Sequence, residues 1–136
     1  MARLILDTGV LIEGARRRLP PGAIGAEDDV VIPAVAVTEY RVDVLLDPDP
    51  ARRAKHTAFL EQALEVMPIA EYTAAVIEHH AALLAHVRIS GRPRGAHDLI
   101  IAATARATGR VLVTTDARAC FEELPEVEVR PLERSS

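Results

Sequence analysis

Residues 4–12 read LILDTGVLI, a stretch that predicts a buried strand, a turn and a short helix. Its first three residues form an apolar run typical of a strand that is covered on both faces. Asp7 ends that run, and the apolar residues after it no longer alternate with polar ones. Because doubly covered strands occur in parallel sheets between helical layers, we expect strands and helices to alternate along the chain.

The rest of the sequence follows this alternation. Apolar runs predict further strands at 30–32, 66–69, 111–113 and 127–129. Periodicity and breaker residues predict helices at 34–46, about 50–64, 71–87, 97–108 and 120–124. Pro68 limits its strand to an edge of the sheet, because proline cannot donate a hydrogen bond to a neighbouring strand. The predicted fold is therefore three-layer α/β with a central parallel sheet, and residues 1–136 should form a single domain.

The composition indicates a globular protein with an aliphatic core. Hydrophobic residues make up 49% of the chain and aromatic residues only 3%. The single cysteine, Cys120, excludes an intramolecular disulfide and a cysteine zinc site, and we expect it to pack under the last helix. The apolar run at 4–6 is too short for a signal segment, and no stretch has the length of a membrane span. We therefore expect a cytoplasmic protein without a membrane segment.

Charge is distributed unevenly along the chain. The net charge of −4 argues by itself against nonspecific binding to a polyanion. Positive charge is concentrated at residues 16–18 and in the trio Arg88, Arg92 and Arg94. Because Lys55 is the only lysine, nearly all of this charge is arginine, which suits bidentate contacts to phosphate. A coding bias toward arginine explains the same composition equally well.

Four carboxylates occur where the segments of a parallel fold converge. Asp7 follows the first strand, and Asp116 comes just after the strand at 111–113. Glu39 lies on the helix after the second strand, and Asp98 lies in the first turn of a later helix, where the helix dipole favours an anion. Ligand sites of open α/β sheets lie beyond the carboxyl ends of the strands. We therefore expect these four side chains to form one site.

Each acid alone also has a structural explanation, as a helix cap, a turn residue, a first-turn charge or part of a solvated helix face. Together, however, ionised carboxylates set within apolar segments need compensating cations. Hard oxygen ligands without a cysteine or a histidine pair favour Mg²⁺ or Mn²⁺. Such an ion lowers the pKa of bound water and stabilises charge on a phosphoryl group. The residues therefore predict a divalent-metal site for phosphodiester hydrolysis.

The order and context of the four acids resemble the PIN domain, specifically the VapC toxins of bacterial type II toxin–antitoxin pairs. The similar segments are 4–12, 37–42, 96–105 and 111–116, each containing one of the acids, and the ending at 121–131. There are two departures: Gly9 stands where Asn or Ser is common, and Asp43 stands where a small residue is common. We expect the first to be tolerated, because that residue acts mainly through its backbone.

The resemblance implies a ribonuclease whose Asp7, Glu39, Asp98 and Asp116 bind Mg²⁺ or Mn²⁺ and carry out catalysis. It also implies a homodimer and a VapB-like antitoxin that blocks the site. We expect this antitoxin to insert a basic residue among the four acids. The helices at 34–46 and 71–87 carry enough aliphatic surface for a dimer contact. The candidates for binding the RNA backbone are the arginines in loops flanking the acids, Arg16, Arg17, Arg92 and Arg94.

Several other interpretations are open. The chain could be a PIN-domain nuclease of RNA processing without an antitoxin, or a non-catalytic PIN-like module that binds an antitoxin. Asp7-Thr8-Gly9 also imitates the catalytic triplet of aspartic proteases, but those proteins are rich in β-strands. Haloacid-dehalogenase phosphatases need a second Asp at Gly9, and receiver domains need a lysine later than Lys55. The histidines are expected to be structural, and His97 is not expected to contact substrate.

Overall fold

A five-stranded parallel sheet forms the centre of the computed structural model, which describes residues 1–133. The strands are β1 (Arg3–Leu6), β2 (Asp29–Pro33), β3 (Ile69–Ala70), β4 (Val111–Thr114) and β5 (Val129–Pro131). Their order across the sheet is β3-β2-β1-β4-β5, so β1 is central and β3 lies at an edge, as predicted from Pro68. In the pairing of β1 with β4, Leu4 lies opposite Val111 and Leu6 opposite Val113.

Helices connect the strands. Within residues 1–133 the α-helices are α1 (Thr8–Ala15), α2 (Ala34–Leu46), α3 (Pro50–Val66), α4 (Ala74–Ser90) and α5 (Ala96–Thr108). The first three helices contact one another, and α4 packs along α5. The chain moves outward from β1 to β3 and then returns to β4 and β5, so right-handed crossovers place these two groups on opposite faces of the sheet. The predicted three-layer α/β fold is confirmed.

Local chemistry fixes the helix ends. Helix α4 begins three residues later than predicted, because the Thr73 hydroxyl accepts a hydrogen bond from the backbone N–H of Val76 and caps the helix. It ends at Gly91, which adopts the left-handed conformation with φ of 69°. Gly109 ends α5 in the same way, with φ of 64°, as its position in the sequence predicted. No helix in the described part of the chain is long and apolar enough to cross a bilayer.

The core is aliphatic, as predicted. Strands β1 and β4 lie at its centre, with Leu4, Ile5 and Leu112 fully buried. Helix α5 packs against the core with small residues, which are Ala102, Ala103 and Ala105. Tyr40 is buried as well, and its hydroxyl donates a 2.8 Å hydrogen bond to the carbonyl of His56, which joins α2 to α3. Small side chains on α5 allow this helix to approach the sheet closely.

The segment after β4 departs from the prediction. The helix predicted at 120–124 is instead a pair of short 3₁₀ turns, Ala117–Ala119 and Phe121–Glu123. Cys120 separates them with a positive φ of 48°, which a continuous helix cannot contain. The expectation that Cys120 packs under a helix is therefore wrong, and its side chain is partly exposed. Strand β3 is also shorter than predicted, because α3 continues through Val66.

Arg110 ties together three strands at the amino-terminal edge of the sheet. Its guanidinium donates hydrogen bonds to the carbonyls of Leu4, at 3.2 Å, and Asp29, at 2.8 Å. It also forms a 2.9 Å ion pair with the carboxylate of Asp29, and its side chain is only 10% exposed. One side chain thus holds β4 to β1 and β2, the strands that position Asp7 and Asp116.

We predict that Arg110→Ala lowers the free energy of unfolding by about 1–3 kcal/mol, because two carbonyls and a carboxylate lose a charged donor. Urea denaturation followed by circular dichroism measures this difference. Arg88→Ala, on the exposed side of α4, is the control and should change stability by less than about 0.5 kcal/mol. Equal stability of the two variants would contradict the role assigned to Arg110.

Candidate functional site

The four predicted acids lie around one cleft at the carboxyl edge of the sheet. Asp7 follows β1 and Asp116 follows β4, and these neighbouring strands mark the point where the direction of the chain across the sheet reverses. Glu39 reaches the cleft from α2, and Asp98 reaches it from the first turn of α5. All four line an opening of about 890 Å³, here called the acidic cleft, together with Thr8, Gly9, Ile12, Thr115, Ala117, Arg118, Leu132 and Glu133.

Asp7 is the most deeply buried of the four, with 6% of its surface exposed. It occupies the position before α1, but its carboxylate makes no capping hydrogen bond to that helix. Instead, one carboxylate oxygen accepts a 2.7 Å hydrogen bond from the hydroxyl of Thr114. Burial raises the pKa of Asp7 above its ordinary value, against the lowering effect of the hydrogen bonds from Thr114 and the Thr8 backbone. The charges of the neighbouring acids raise it further.

Glu39 is held between the first turns of two helices. The hydroxyl of Thr8 donates a 2.9 Å hydrogen bond to Oε1 of Glu39. On the other side, Nδ1 of His97 lies 3.4 Å from Oε2. Neither contact was predicted from the sequence, in which Thr8 had no part in the site and His97 was expected to be structural. A hydroxyl residue directly after Asp7 was the only available signal for the first contact.

Asp98 and Asp116 face the same opening in different environments. Asp98 is half-buried, and this burial is the main reason that its pKa rises to about 6. Repulsion from Asp7, Asp116 and Glu39 contributes to the rise, while His97 opposes it. Asp116 is exposed, and its carboxylate accepts a 2.9 Å hydrogen bond from the backbone N–H of Arg118. Asp116 therefore has the predicted turn role and also lines the acidic cleft.

Thr114, the last residue of β4, links two of the acids. Its hydroxyl donates to Asp7 and accepts a 2.9 Å hydrogen bond from the backbone N–H of Asp116. The Thr114 side chain is buried, so its bond to Asp7 is shielded from water. The signal for this role in the sequence was the pair of threonines directly before Asp116.

The donor set suits a hard divalent cation, because all four predicted ligands offer carboxylate oxygens. Repulsion from the neighbouring acids adds to the effect of burial on the pKa of Asp98, and a cation would relieve that repulsion. Within residues 1–133, however, no group of three or more acidic, histidine or cysteine side chains stands close enough to hold a metal ion. Metal binding would thus require the carboxylates to move closer together.

The structure does not bring Arg16 and Arg17 to the acidic cleft. Helix α1 leads away from Asp7, so both arginines lie beyond its far end, where they line a separate opening. Arg16 forms a 3.9 Å ion pair there with Asp43. Asp43, which stands where a small residue is common in the family, therefore has a partner. Whether Arg16 and Arg17 contact RNA remains a prediction.

Arg92 and Arg94 lie beside the acids, in a second cleft of about 370 Å³. This second cleft is lined by Arg92, Pro93, Arg94, Gly95, Asp98, Asp116, Arg118, Ala119, Cys120 and Glu123. It shares Asp98, Asp116 and Arg118 with the acidic cleft. Arg118 was not among the predicted site residues, because its position in the sequence shows no sign that it lies between two clefts.

Residues 4–127 match the family model described as the PIN domain. The chain belongs to the PIN-domain family. It is 25% identical over 126 residues to Ribonuclease VapC of Rickettsia bellii (strain RML369-C), which covers 93% of both proteins. The predicted resemblance is confirmed.

Solved structures share this PIN-domain fold. VapBC-5 from Mycobacterium tuberculosis, a member of the VapBC family of toxin–antitoxin systems, superposes with a TM-score of 0.77 and 26% identity, over 98% of this chain and 99% of that one. VapBC2 from Rickettsia felis, bound to a DNA fragment from its promoter, gives a TM-score of 0.82 over 96% and 99% of the two chains. At 17% identity, this second likeness shows the fold alone.

Gly9 makes a close approach inside this PIN domain. A Cβ atom at Gly9 would lie 2.5 Å from the hydroxyl oxygen of Thr115, so a larger residue there requires that hydroxyl to move. The size of the residue at position 9 therefore matters as well as its backbone. Because Gly9 has no side chain, α1 can start close to Thr115, the residue that precedes Asp116.

We predict that Asp98 makes the metal-free protein less stable as the pH rises. Its pKa is about 6 in the folded protein against 3.8 ordinarily, so the folded state binds this proton more tightly than the unfolded state does. The resulting stabilisation is full below pH 3.8 and is lost as the pH rises through about 6. Thermal unfolding of Asp98→Asn in chelator should therefore show a smaller decrease in Tm across this window. Glu61→Gln, on the exposed part of α3, is the control, and a decrease in Asp98→Asn as steep as in the control would contradict this assignment.

Proposed function

We propose that this chain is a metal-dependent ribonuclease and the toxin of a type II toxin–antitoxin pair. The observation that carries the proposal is the convergence of Asp7, Glu39, Asp98 and Asp116 on one cleft of a PIN domain. The similarity to a protein named Ribonuclease VapC supports RNA as the substrate. We also propose that residues 1–136 act as one domain in the cytoplasm.

The four acids would hold Mg²⁺ or Mn²⁺. When bound, such an ion lowers the pKa of a coordinated water and stabilises the charge that develops on a phosphoryl group. The protein's contribution is to bring the carboxylates to one cleft, where they would close around the ion. Thr114 orients Asp7 by the hydrogen bond between their side chains, and Thr8 and His97 hold Glu39 from two sides. These contacts restrict the rotation of the Asp7 and Glu39 side chains. They therefore reduce the conformational entropy that these side chains would lose when a metal ion binds.

The antitoxin that we propose as a partner is VapB-like, because solved neighbours of the chain are VapBC proteins of toxin–antitoxin systems. The acidic cleft carries five carboxylates, those of the four acids and Glu133, against the single guanidinium of Arg118. An inserted arginine or lysine would form charge-assisted hydrogen bonds with them and exclude the metal. Inhibition and metal binding would then compete for the same oxygens.

The proposed homodimer is supported by exposed aliphatic side chains on α2 and α4. Leu45 and Leu46 at the end of α2 are 68% and 77% exposed, and Ile77 on α4 is 49% exposed. We predict a dimer in light scattering at micromolar concentration, because burial of these side chains removes apolar surface from water. Leu45→Glu with Leu46→Glu should shift the particle toward the monomer if α2 is in the contact. A clean monomer of the unaltered protein would contradict the dimer.

We predict that the purified protein cleaves RNA in Mg²⁺ or Mn²⁺ and that chelation stops cleavage. Asp7→Asn and Asp98→Asn should each reduce the rate roughly 100-fold or more, because loss of a ligand removes several kcal/mol of stabilisation of the phosphoryl charge. Both variants should stay folded, since Asn keeps the shape of Asp. Total RNA incubated with each protein, followed by mapping of the cut ends, measures the effect.

Asp43→Asn is the matched control, because Asp43 is an exposed carboxylate outside the acidic cleft. It should cleave RNA at the rate of the unaltered protein. Cleavage by Asp7→Asn at that same rate would contradict the assignment of the site, and cleavage that continues in excess chelator would contradict the metal.

A further inference from the structure

The second cleft continues the acidic cleft on the far side of Asp98 and Asp116. Both openings contain these two acids and Arg118, so a chain of linked groups can pass from one into the other across the proposed reaction centre. The second cleft measures about 370 Å³, which lies in the range of pockets that bind small ligands. This size fits one unpaired nucleotide and its phosphate.

The two clefts differ in charge. Five carboxylates face the acidic cleft against one arginine. In the second cleft, Arg92, Arg94 and Arg118 face Glu123 and the two shared acids. Once a divalent cation neutralises the shared acids, three arginines remain against one carboxylate. The second cleft is therefore the more favourable of the two for a polyanion.

The three arginines are not equivalent. Arg94 is 13% exposed, donates to the carbonyls of Ala119 and Cys120, and pairs with Glu123 at 3.2 Å. Arg94 therefore stabilises one wall of the cleft, and few of its N–H groups remain to bind a ligand. Arg92 is 77% exposed but lies 3.6 Å from the same carboxylate of Glu123, which partly neutralises it.

Arg118 differs from both. Its side chain is exposed, and no carboxylate within residues 1–133 forms an ion pair with it. Its backbone is fixed, because its N–H donates to the carboxylate of Asp116. An unpaired guanidinium on an anchored backbone at the junction of two clefts is well placed to bind a phosphate with two parallel hydrogen bonds.

We propose that the second cleft binds the nucleotide of single-stranded RNA next to the cleaved bond, and that Arg118 holds a phosphate of that strand. This inference rests on the proposed ribonuclease function and adds the side of the reaction centre on which the RNA lies. Arg94 has a structural role here, and Arg118 makes the main electrostatic contact.

Binding of a fluorescent single-stranded RNA of mixed sequence tests Arg118. The protein carries Asp7→Asn so that the RNA stays intact, and anisotropy is measured over a range of salt concentrations in Mg²⁺. Adding Arg118→Gln should weaken binding roughly tenfold, through loss of a charged hydrogen-bond pair. It should also reduce the slope of log affinity against log salt by about 0.7, the contribution of one phosphate contact to a single strand.

Two further variants separate charge from position. Arg3→Gln removes one exposed positive charge at the start of β1, on the opposite edge of the sheet from both clefts, and it should leave affinity and slope unchanged. Arg118→Lys should recover the slope but not the full affinity, because lysine lacks the planar pair of donors. Equal effects of Arg118→Gln and Arg3→Gln would overturn the inference.

Cys120 provides an independent probe of the cleft, because it is the only cysteine in the chain and lines this opening. Saturating RNA should slow alkylation of Cys120 by iodoacetamide several-fold, while inorganic phosphate at the same ionic strength should not. An unchanged rate at saturating RNA would overturn the inference while leaving the ribonuclease proposal intact, provided that the unaltered protein cleaves RNA. If the unaltered protein neither cleaves nor binds RNA, both proposals fail together.

Discussion

The hydrogen bond between the hydroxyl of Thr114 and the carboxylate of Asp7 is the constraint on which the site depends. It is buried, and it joins the ends of the two central strands, 107 residues apart in sequence. A buried carboxylate without such a donor is costly, so the bond fixes where Asp7 can point. Because Thr114 also accepts from the backbone of Asp116, the same hydroxyl sets the positions of two acids. The cleft is thus a consequence of how β1 and β4 meet.

The positions of the elements and of the acids could be predicted because they depend on local patterns. Short apolar runs identified the strands, Gly109 marked the end of α5, and the rule that ligands bind at strand ends brought Asp7 and Asp116 together. The contacts that orient the acids could not be predicted in the same way. Thr8 and Glu39 are 31 residues apart, and no periodicity shows that their side chains meet. The left-handed conformation of Cys120 could not be predicted either, because nothing in the sequence there requires it.

The distance of an arginine from the acids along the sequence does not determine its distance from them in the fold. Arg16 and Arg17 adjoin the first acidic segment in the chain, but α1 places them at its far end, where they line a separate opening. Arg94 lies beside the acids but is occupied by two carbonyls and Glu123. Arg118 is an isolated arginine in the sequence, but its exposed side chain lies where the two clefts meet. Exposure and partners, which only the fold determines, decide whether an arginine is available to a ligand.

We propose that the acidic cleft holds a divalent cation between carboxylates from different elements. Crystals soaked in Mn²⁺, with diffraction recorded for the anomalous signal of manganese, test it most directly. We expect an anomalous peak in the cleft with oxygens of both Asp7 and Asp98 at coordination distance, directly or through one water. Absence of the peak at a manganese concentration that supports RNA cleavage would contradict this assignment, as would a peak at a site that neither of these acids reaches.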